Sequence, residues 1–212
     1  RLNGYGTAMF GKSHELPPWE LSVSGPLDRW PVHSGFDKFY GFLQGESDLY
    51  SPVLYDGVTR IPTPRNADYH VTTDITDKAI VWVRTQQSLT PDKPFFIYYA
   101  AAGTHDPHHV PKEWIDKYKG KFDQGWDKLR EEIFARQKKL GVIPADAVLT
   151  ARPAEIPAWD DTPKEMRPIF CREMEVYAAF LEHTDHHLGR LVDTLKDLEI
   201  LDDTLIYLII GD

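Results

Sequence analysis

The sequence predicts an α/β fold in which helices lie over a central, mostly parallel mixed sheet, with layers α/β/α. Three observations point there. Predicted elements follow the order strand, helix, strand, helices, strand. The runs Phe95-Phe-Ile-Tyr-Tyr-Ala-Ala101 and Leu205-Ile-Tyr-Leu-Ile-Ile210 are apolar on both faces, as in the covered centre of a sheet. The long helical pattern between them supplies the crossover that parallel strands require. If the two strands are parallel, His105 and Asp212 fall at one sheet edge, where ligands collect in open α/β sheets.

Asn3-Gly4 reads as a turn, followed by a short strand over Thr7–Phe10 and the polar cluster Gly11-Lys-Ser-His-Glu15. From Pro17 to Pro64 the chain is rich in Gly, Pro and aromatics, and reads as a long ordered loop with short strands. Thr72 or Asp74 caps a helix that runs to about Leu89 with Ile75, Ala79, Ile80 and Val83 on one face. Pro91 and Pro94 break the chain before the strand at Phe95. Pro111 opens a helix through Tyr118, and Asp123–Leu140 forms a charged helix stopped by Gly141. An extended connection covers 142–163. The longest helix, from Pro163 to about Leu198, is expected to bury Phe170, Met174, Tyr177, Leu181, Leu188, Leu191, Val192 and Leu195.

The 212 residues suffice for one substantial core, and 42% apolar content fits a folded globular chain. With 33 acidic against 24 basic residues, the formal charge of −9 argues against broad adhesion to nucleic acid or anionic membrane. No apolar run approaches the roughly 20 residues of a bilayer span. Cys171 is the single cysteine, so an intrachain disulfide is impossible. No dinucleotide fingerprint, Walker loop or nucleophile elbow is present.

Four clusters hold chemistry-bearing side chains. Lys12 and His14 lie two apart after a strand and share one side if the segment stays extended, a pair that binds anions and moves protons; a solvated loop is the plainer reading. His105, His108 and His109 superficially suggest a zinc cluster, but Pro107 and Pro111 make that loop stiff and nonhelical. This leaves His105 as a single site residue and the other two at the rim. His183 and His187 are four apart on a helix and could share a metal, the alternative being a polar face opposite Leu181, Leu188 and Leu191, with Asp185 turned toward the sheet edge. Asp212, at a strand terminus, suits a hard cation such as Ca²⁺ or Mg²⁺.

Gly4-Tyr-Gly-Thr-Ala-Met-Phe-Gly-Lys-Ser-His14, Gly35-Phe-Asp-Lys-Phe-Tyr-Gly41, the stretch Phe95–Pro111, Tyr177-Ala-Ala-Phe-Leu-Glu-His-Thr-Asp185 with Gly189-Arg-Leu, and Ile-Ile-Gly-Asp212 together resemble the type I sulfatases of the alkaline phosphatase superfamily, in family order and along nearly the whole chain. The resemblance is nearest to bacterial-type arylsulfatases. It implies hydrolysis of a small-molecule or glycan sulfate monoester by a formylglycine, made from a Cys/Ser-x-Pro-x-Arg motif, beside one Ca²⁺, Mg²⁺ being the lesser candidate. Lys12 matches the lysine that binds sulfate and nucleophile. His14 matches the histidine on the hydrated aldehyde, His105 the one near the ester oxygen, and Asp212 the calcium-binding aspartate. Ser13 and Glu15 stand where many relatives have Trp and Leu. The Cys/Ser-x-Pro-x-Arg motif is absent, so residues 1–212 are expected to be part of a single catalytic domain truncated at both ends, with the formylglycine upstream of Arg1 and no turnover by this segment alone. A phosphate or phosphonate ester hydrolase and a noncatalytic sulfate-ester-binding protein are the alternatives. The resemblance also allows a periplasmic or secreted location.

Overall fold

The computed structural model describes residues 1–209, which form two compact units: Arg1–His109 together with the chain from His183 onward, and Val110–Glu182. In the first unit a mixed five-stranded sheet is flanked by helices. The strands are β1 (Gly6–Ser13), β2 (Lys38–Leu43), β3 (Leu54–Asp56), β4 (Thr59–Ile61) and β5 (Phe95–Ala100), in the spatial order β4-β3-β2-β1-β5. β1 pairs in parallel with both β2 and β5, whereas β2–β3 and β3–β4 are antiparallel.

β1 is longer than the sequence pattern indicated, because its polar end, Lys12-Ser13, continues the ladder against Phe42 and Leu43. Lying between β2 and β5, it is covered on both faces. Phe10 faces Trp82 of the helix α1 (Val71–Leu89), at 6.2 Å between ring centroids. On the opposite side Met9 joins Leu16, Trp30, Phe39, Leu43 and Tyr55 in a buried cluster. The aromatic loop after β1 thus acts as a packing layer, and the Trp30 indole N–H is satisfied by the Glu20 carbonyl at 2.8 Å.

Two glycines set the spacing of the parallel strands. A Cβ on Gly41 would lie 1.9 Å from the Gly11 carbonyl oxygen, and one on Gly11, whose φ is +109°, would lie 2.0 Å from the Ala100 oxygen. The three backbones therefore approach at one level where no side chain fits.

β5 corrects an expectation. It is the edge strand of the described sheet and not a covered central one, and Phe96 and Tyr98 are 52% and 45% exposed. Alternation explains this: Phe95 packs on Trp82, and the Tyr99 hydroxyl meets Thr76 of α1 at 2.7 Å, while the other face meets only the Phe36 ring among described aromatic contacts. The strand expected at Leu205 is also not formed over residues 204–209. Tyr207 and Ile209 are 81% and 91% exposed, and without a neighbouring ladder an apolar run has neither the backbone partners nor the covered face that makes it a strand. Asp212 lies outside the described residues.

α1 is capped by His70, whose Nδ1 accepts from the Thr72 amide at 3.2 Å. Neither expected cap serves, since Thr72 lies inside the helix and the Asp74 carboxylate is engaged by the hydroxyls of Tyr40 and Tyr69, at 2.7 and 3.0 Å.

The second unit holds α2 (Lys112–Asp116), with Pro111 at its N-cap, and α3 (Gly125–Leu140), which ends at the left-handed Gly141. The long helix α4 (Arg167–Asp197) contributes its part up to Glu182 here and the remainder to the first unit. Within this unit Trp126 packs edge-on against Trp159 at 4.7 Å and against Phe170 at 5.7 Å. Cys171 donates weakly to the Phe122 carbonyl at 3.5 Å, and burial raises its thiol pKa, so it is not an activated nucleophile.

The buried face of α4 differs from the expected stripe. Tyr177 and Leu181 are exposed, whereas Glu175, Ala179, Phe180, His183, Thr184, His187, Thr194 and Leu195 are buried. In the first unit, polar pairing sets this rotation: His187 lies 3.1 Å from the Thr73 hydroxyl, and Arg190 pairs with Asp77 at 2.5 Å, both partners on α1.

Candidate functional site

Because β1, β2 and β5 are parallel, the loops after Ser13, Leu43 and Ala100 open on one edge of the sheet. Lys12 is half-buried near the end of β1, and His14 is exposed just beyond it. Among the described residues Lys12 has no ion-pair partner, so its ammonium is uncommitted at a rigid strand end. The His14 ring lies 2.6 to 3.0 Å from where a Cβ on Gly45 would be, so it rests against the bare backbone after β2. Gln44, next to it, holds φ at 112°, a conformation L residues rarely adopt and one that clusters at functional sites. Its amide donates to the Ser13 carbonyl at 2.9 Å, tying the ends of β1 and β2.

Glu46 follows directly and meets the loop after β5. Glu46, His105 and Asp106, all exposed, each place one potential ligand atom within 4.8 Å of the others. His105 Nδ1 lies 2.8 Å from the Asp106 carbonyl and 3.1 Å from its carboxylate, so the ring is oriented from one side and Nε2 is the nitrogen left to face outward. His14 and His105 are thus linked through Gly45–Glu46. The expectation at His108 and His109 divides: His108 is exposed, whereas half-buried His109 accepts from the Leu49 amide at 3.3 Å.

His183 and His187 are only 2% and 6% exposed and form no solvated polar face. Their Nε2 atoms lie 3.2 Å apart, but the Arg190 guanidinium donates to His187 Nδ1 at 3.0 Å. His187 Nε2 therefore carries the proton and is not free for a cation. Burial, and next the Arg190 charge, push the His187 pKa down to about 4, in keeping with a neutral ring. Asp185, expected near the sheet edge, is exposed.

Glu46, Gly45 and Asp106 escaped the reading of the sequence. The signal for the first two was present in Lys38-Phe-Tyr-Gly-Phe-Leu43, a short strand run followed by Gly45-Glu46, but it lay inside a stretch read as a long loop with short strands whose positions were not assigned. The described residues give only this exposed group of two carboxylates and one imidazole as a possible metal cluster. Ca²⁺ takes six to eight oxygen ligands, so the group by itself is a poor match for that ion.

The sulfatase family model matches residues 1–212. An uncharacterized sulfatase of Schizosaccharomyces pombe is 29% identical over 224 aligned residues, covering 96% of this chain and 38% of that protein. The arylsulfatase of Klebsiella aerogenes is 28% identical over 207, covering 91% and 41%. Among solved structures, that of YidJ from Bacteroides fragilis superposes with a TM-score of 0.63 at 21% identity, over 94% of this chain and 39% of its own. One determined with its substrate D-glucosamine-2-N,6-O-disulfate gives 0.53 at 24%, over 95% and 46%. The chain therefore spans about two fifths of the length of these curated relatives. No helix among the described residues is long and apolar enough to cross a membrane.

Proposed function

The chain belongs to the sulfatase family, and from that premise we propose that the full-length protein containing it hydrolyses sulfate monoesters of phenols or sugars. One observation carries the reading: Lys12, His14 and His105 stand on the coincident ends of parallel strands, the two histidines linked through the Gly45–Glu46 turn. The Lys12 ammonium offsets the charge on the sulfuryl oxygens, which is worth most when the donor is fixed before charge develops. His14, seated against Gly45, moves a proton at the nucleophile. His105, with Nδ1 held by Asp106, presents Nε2 to the ester oxygen and protonates the departing alcohol or phenol. The family implies a metal ion and a formylglycine in general; here we assign Ca²⁺, with Asp212 among its ligands, and a formylglycine from a Cys/Ser-x-Pro-x-Arg motif that residues 1–212 do not contain. Together these groups supply an ionised nucleophile and a counter-charge for the sulfate.

The test is to assay the full-length protein on 4-nitrophenyl sulfate and 4-nitrophenyl phosphate, with peptide mass spectrometry for the aldehyde. Faster sulfate turnover that K12A abolishes supports the reading. Preferential phosphate turnover, or sulfate binding with no hydrolysis, replaces it with one of the two alternatives.

A further inference from the structure

Three hydrogen bonds close a ring that joins the two site loops to the start of α1. The Val71 amide donates to the Leu49 carbonyl at 2.8 Å. The Leu49 amide donates to His109 Nδ1 at 3.3 Å. The His109 carbonyl in turn lies 3.1 Å from His70 Nε2, and His70 precedes Val71. The tautomers are mutually consistent. His70 Nδ1 accepts from the Thr72 amide, so its Nε2 carries the proton and donates to His109; His109 Nδ1 accepts, so it carries none. Tyr50 completes the packing, stacked on the His109 ring at 5.4 Å and edge-on to His70 at 5.3 Å. The amides of Tyr50 and Ser51 are held by the Asp48 carboxylate at 2.8 and 2.9 Å, so the Leu49 amide is the one this turn leaves for His109.

The ring lies a few residues from the groups it can influence. Leu49 is three residues after Glu46, and His109 is four after His105. His70 is buried and anchored as the α1 cap, so the fixed end of the ring is the helix and the held ends are the two loops.

We infer that His70 and His109 are positioning residues that set His105 against Glu46 and thereby aim His105 Nε2 at the substrate's ester oxygen. Neither touches the reacting atoms. This rests on the sulfate ester reading of the same site. On this assignment the ring acts through the placing of His105, so its loss is read at leaving-group protonation. A displacement of about 1 Å in such a group can cost about 100-fold in rate.

The experiment uses the full-length protein and two substrates, 4-nitrophenyl sulfate, whose leaving group needs no proton, and an alkyl or sugar sulfate, whose leaving group does. His109→Ala and His70→Asn are compared with wild type, the second because Asn retains a helix cap but cannot reach the His109 carbonyl. The expected result is a fall of about 100-fold in kcat on the alkyl or sugar ester against less than about 3-fold on the nitrophenyl ester, with KM little changed. In a His105→Ala background, His109→Ala should add nothing further, because it acts through His105. Equal losses on both esters, or losses that multiply in the double variant, overturn the assignment. Should His109→Ala fail to fold, His70→Asn and its double variant with His105→Ala carry the same test. A wild type that hydrolyses no sulfate ester at all sinks the underlying reading instead, so the two failures are distinguishable.

Discussion

The chain contains two stretches with the same spacing of three histidines, His105-Asp-Pro-His-His109 and His183-Thr-Asp-His-His187, and the fold gives them opposite fates. The first follows β5, the edge strand among the described residues, where two prolines prevent a helix; His105 is exposed, with Glu46 and Asp106 beside it. The second is helical, and its i, i+4 spacing turns His183 and His187 together into the interior, where the pair packs on Thr73 and Arg190. Residue type is shared; backbone period and burial separate an exposed imidazole from a buried, structural one.

The largest expected effect is at His105. In the full-length protein His105→Ala should lower kcat/KM on an alkyl sulfate by about 10²- to 10⁴-fold, the range of a lost general acid, while thermal unfolding hardly moves because the side chain is half exposed. A large drop in unfolding temperature with activity spared would erase the contrast between the stretches.

His187→Ala should do the reverse. It leaves the Thr73 hydroxyl and one Arg190 donor without their buried partner, for a loss of about 1–3 kcal/mol in urea unfolding, with kcat on the nitrophenyl ester retained.

Acid should separate the two stretches further. An unfolded histidine titrates near 6.5, but His187 in the fold is pushed down to about 4 by burial, then by Arg190, with smaller contributions from His186 and His70 in the same direction and Asp77 opposing. His70 is also lowered, chiefly by burial. Between pH 6.5 and 4 the unfolded chain therefore binds protons that the folded chain refuses. Stability present above pH 6.5 is lost as the pH falls through this window, by up to about 1.4 kcal/mol per unit for His187, and His70 acts in the same direction. Stability measured against pH should be flatter in His187→Gln, and an unchanged slope would rule out His187 as a source.

The smallest effect belongs to His108. It is exposed on the loop, and His108→Ala should shift stability by less than about 0.5 kcal/mol and leave turnover near wild type; a catalytic loss rivalling that at His105 would show the loop to act as a unit.

Much of this arrangement was legible in the residues. The α/β order, the strand at 95, the helix ending at Leu89 and the Gly141 stop all follow from local pattern. What escaped were features decided by distant partners. The rotation of α4 depends on Thr73 and Asp77, more than a hundred residues away, and hydropathy alone favours Tyr177 and Leu181 over the buried histidines. β5 reads as central because its residues are apolar on both faces, yet its position in the sheet is a property of pairing. Lys12, His14 and His105 were singled out from motif and strand end, whereas Glu46 and the ring through His70 become visible only once loops 60 residues apart are seen side by side.

The paired glycines at the waist of the sheet have a consequence for heredity. Any missense change at Gly11 or Gly41 forces at least a methyl group into a space already occupied by a neighbouring carbonyl, one residue before Lys12 in the first case. Alleles altered there should behave as losses of the whole protein, detected as missing antigen rather than as an inert enzyme. Alleles altered at Lys12 or His105 should leave normal amounts of a silent product. A survey of naturally occurring variants would thus sort into two phenotypes a few ångströms apart, one erased by the cell's quality control and the other passed through it unnoticed.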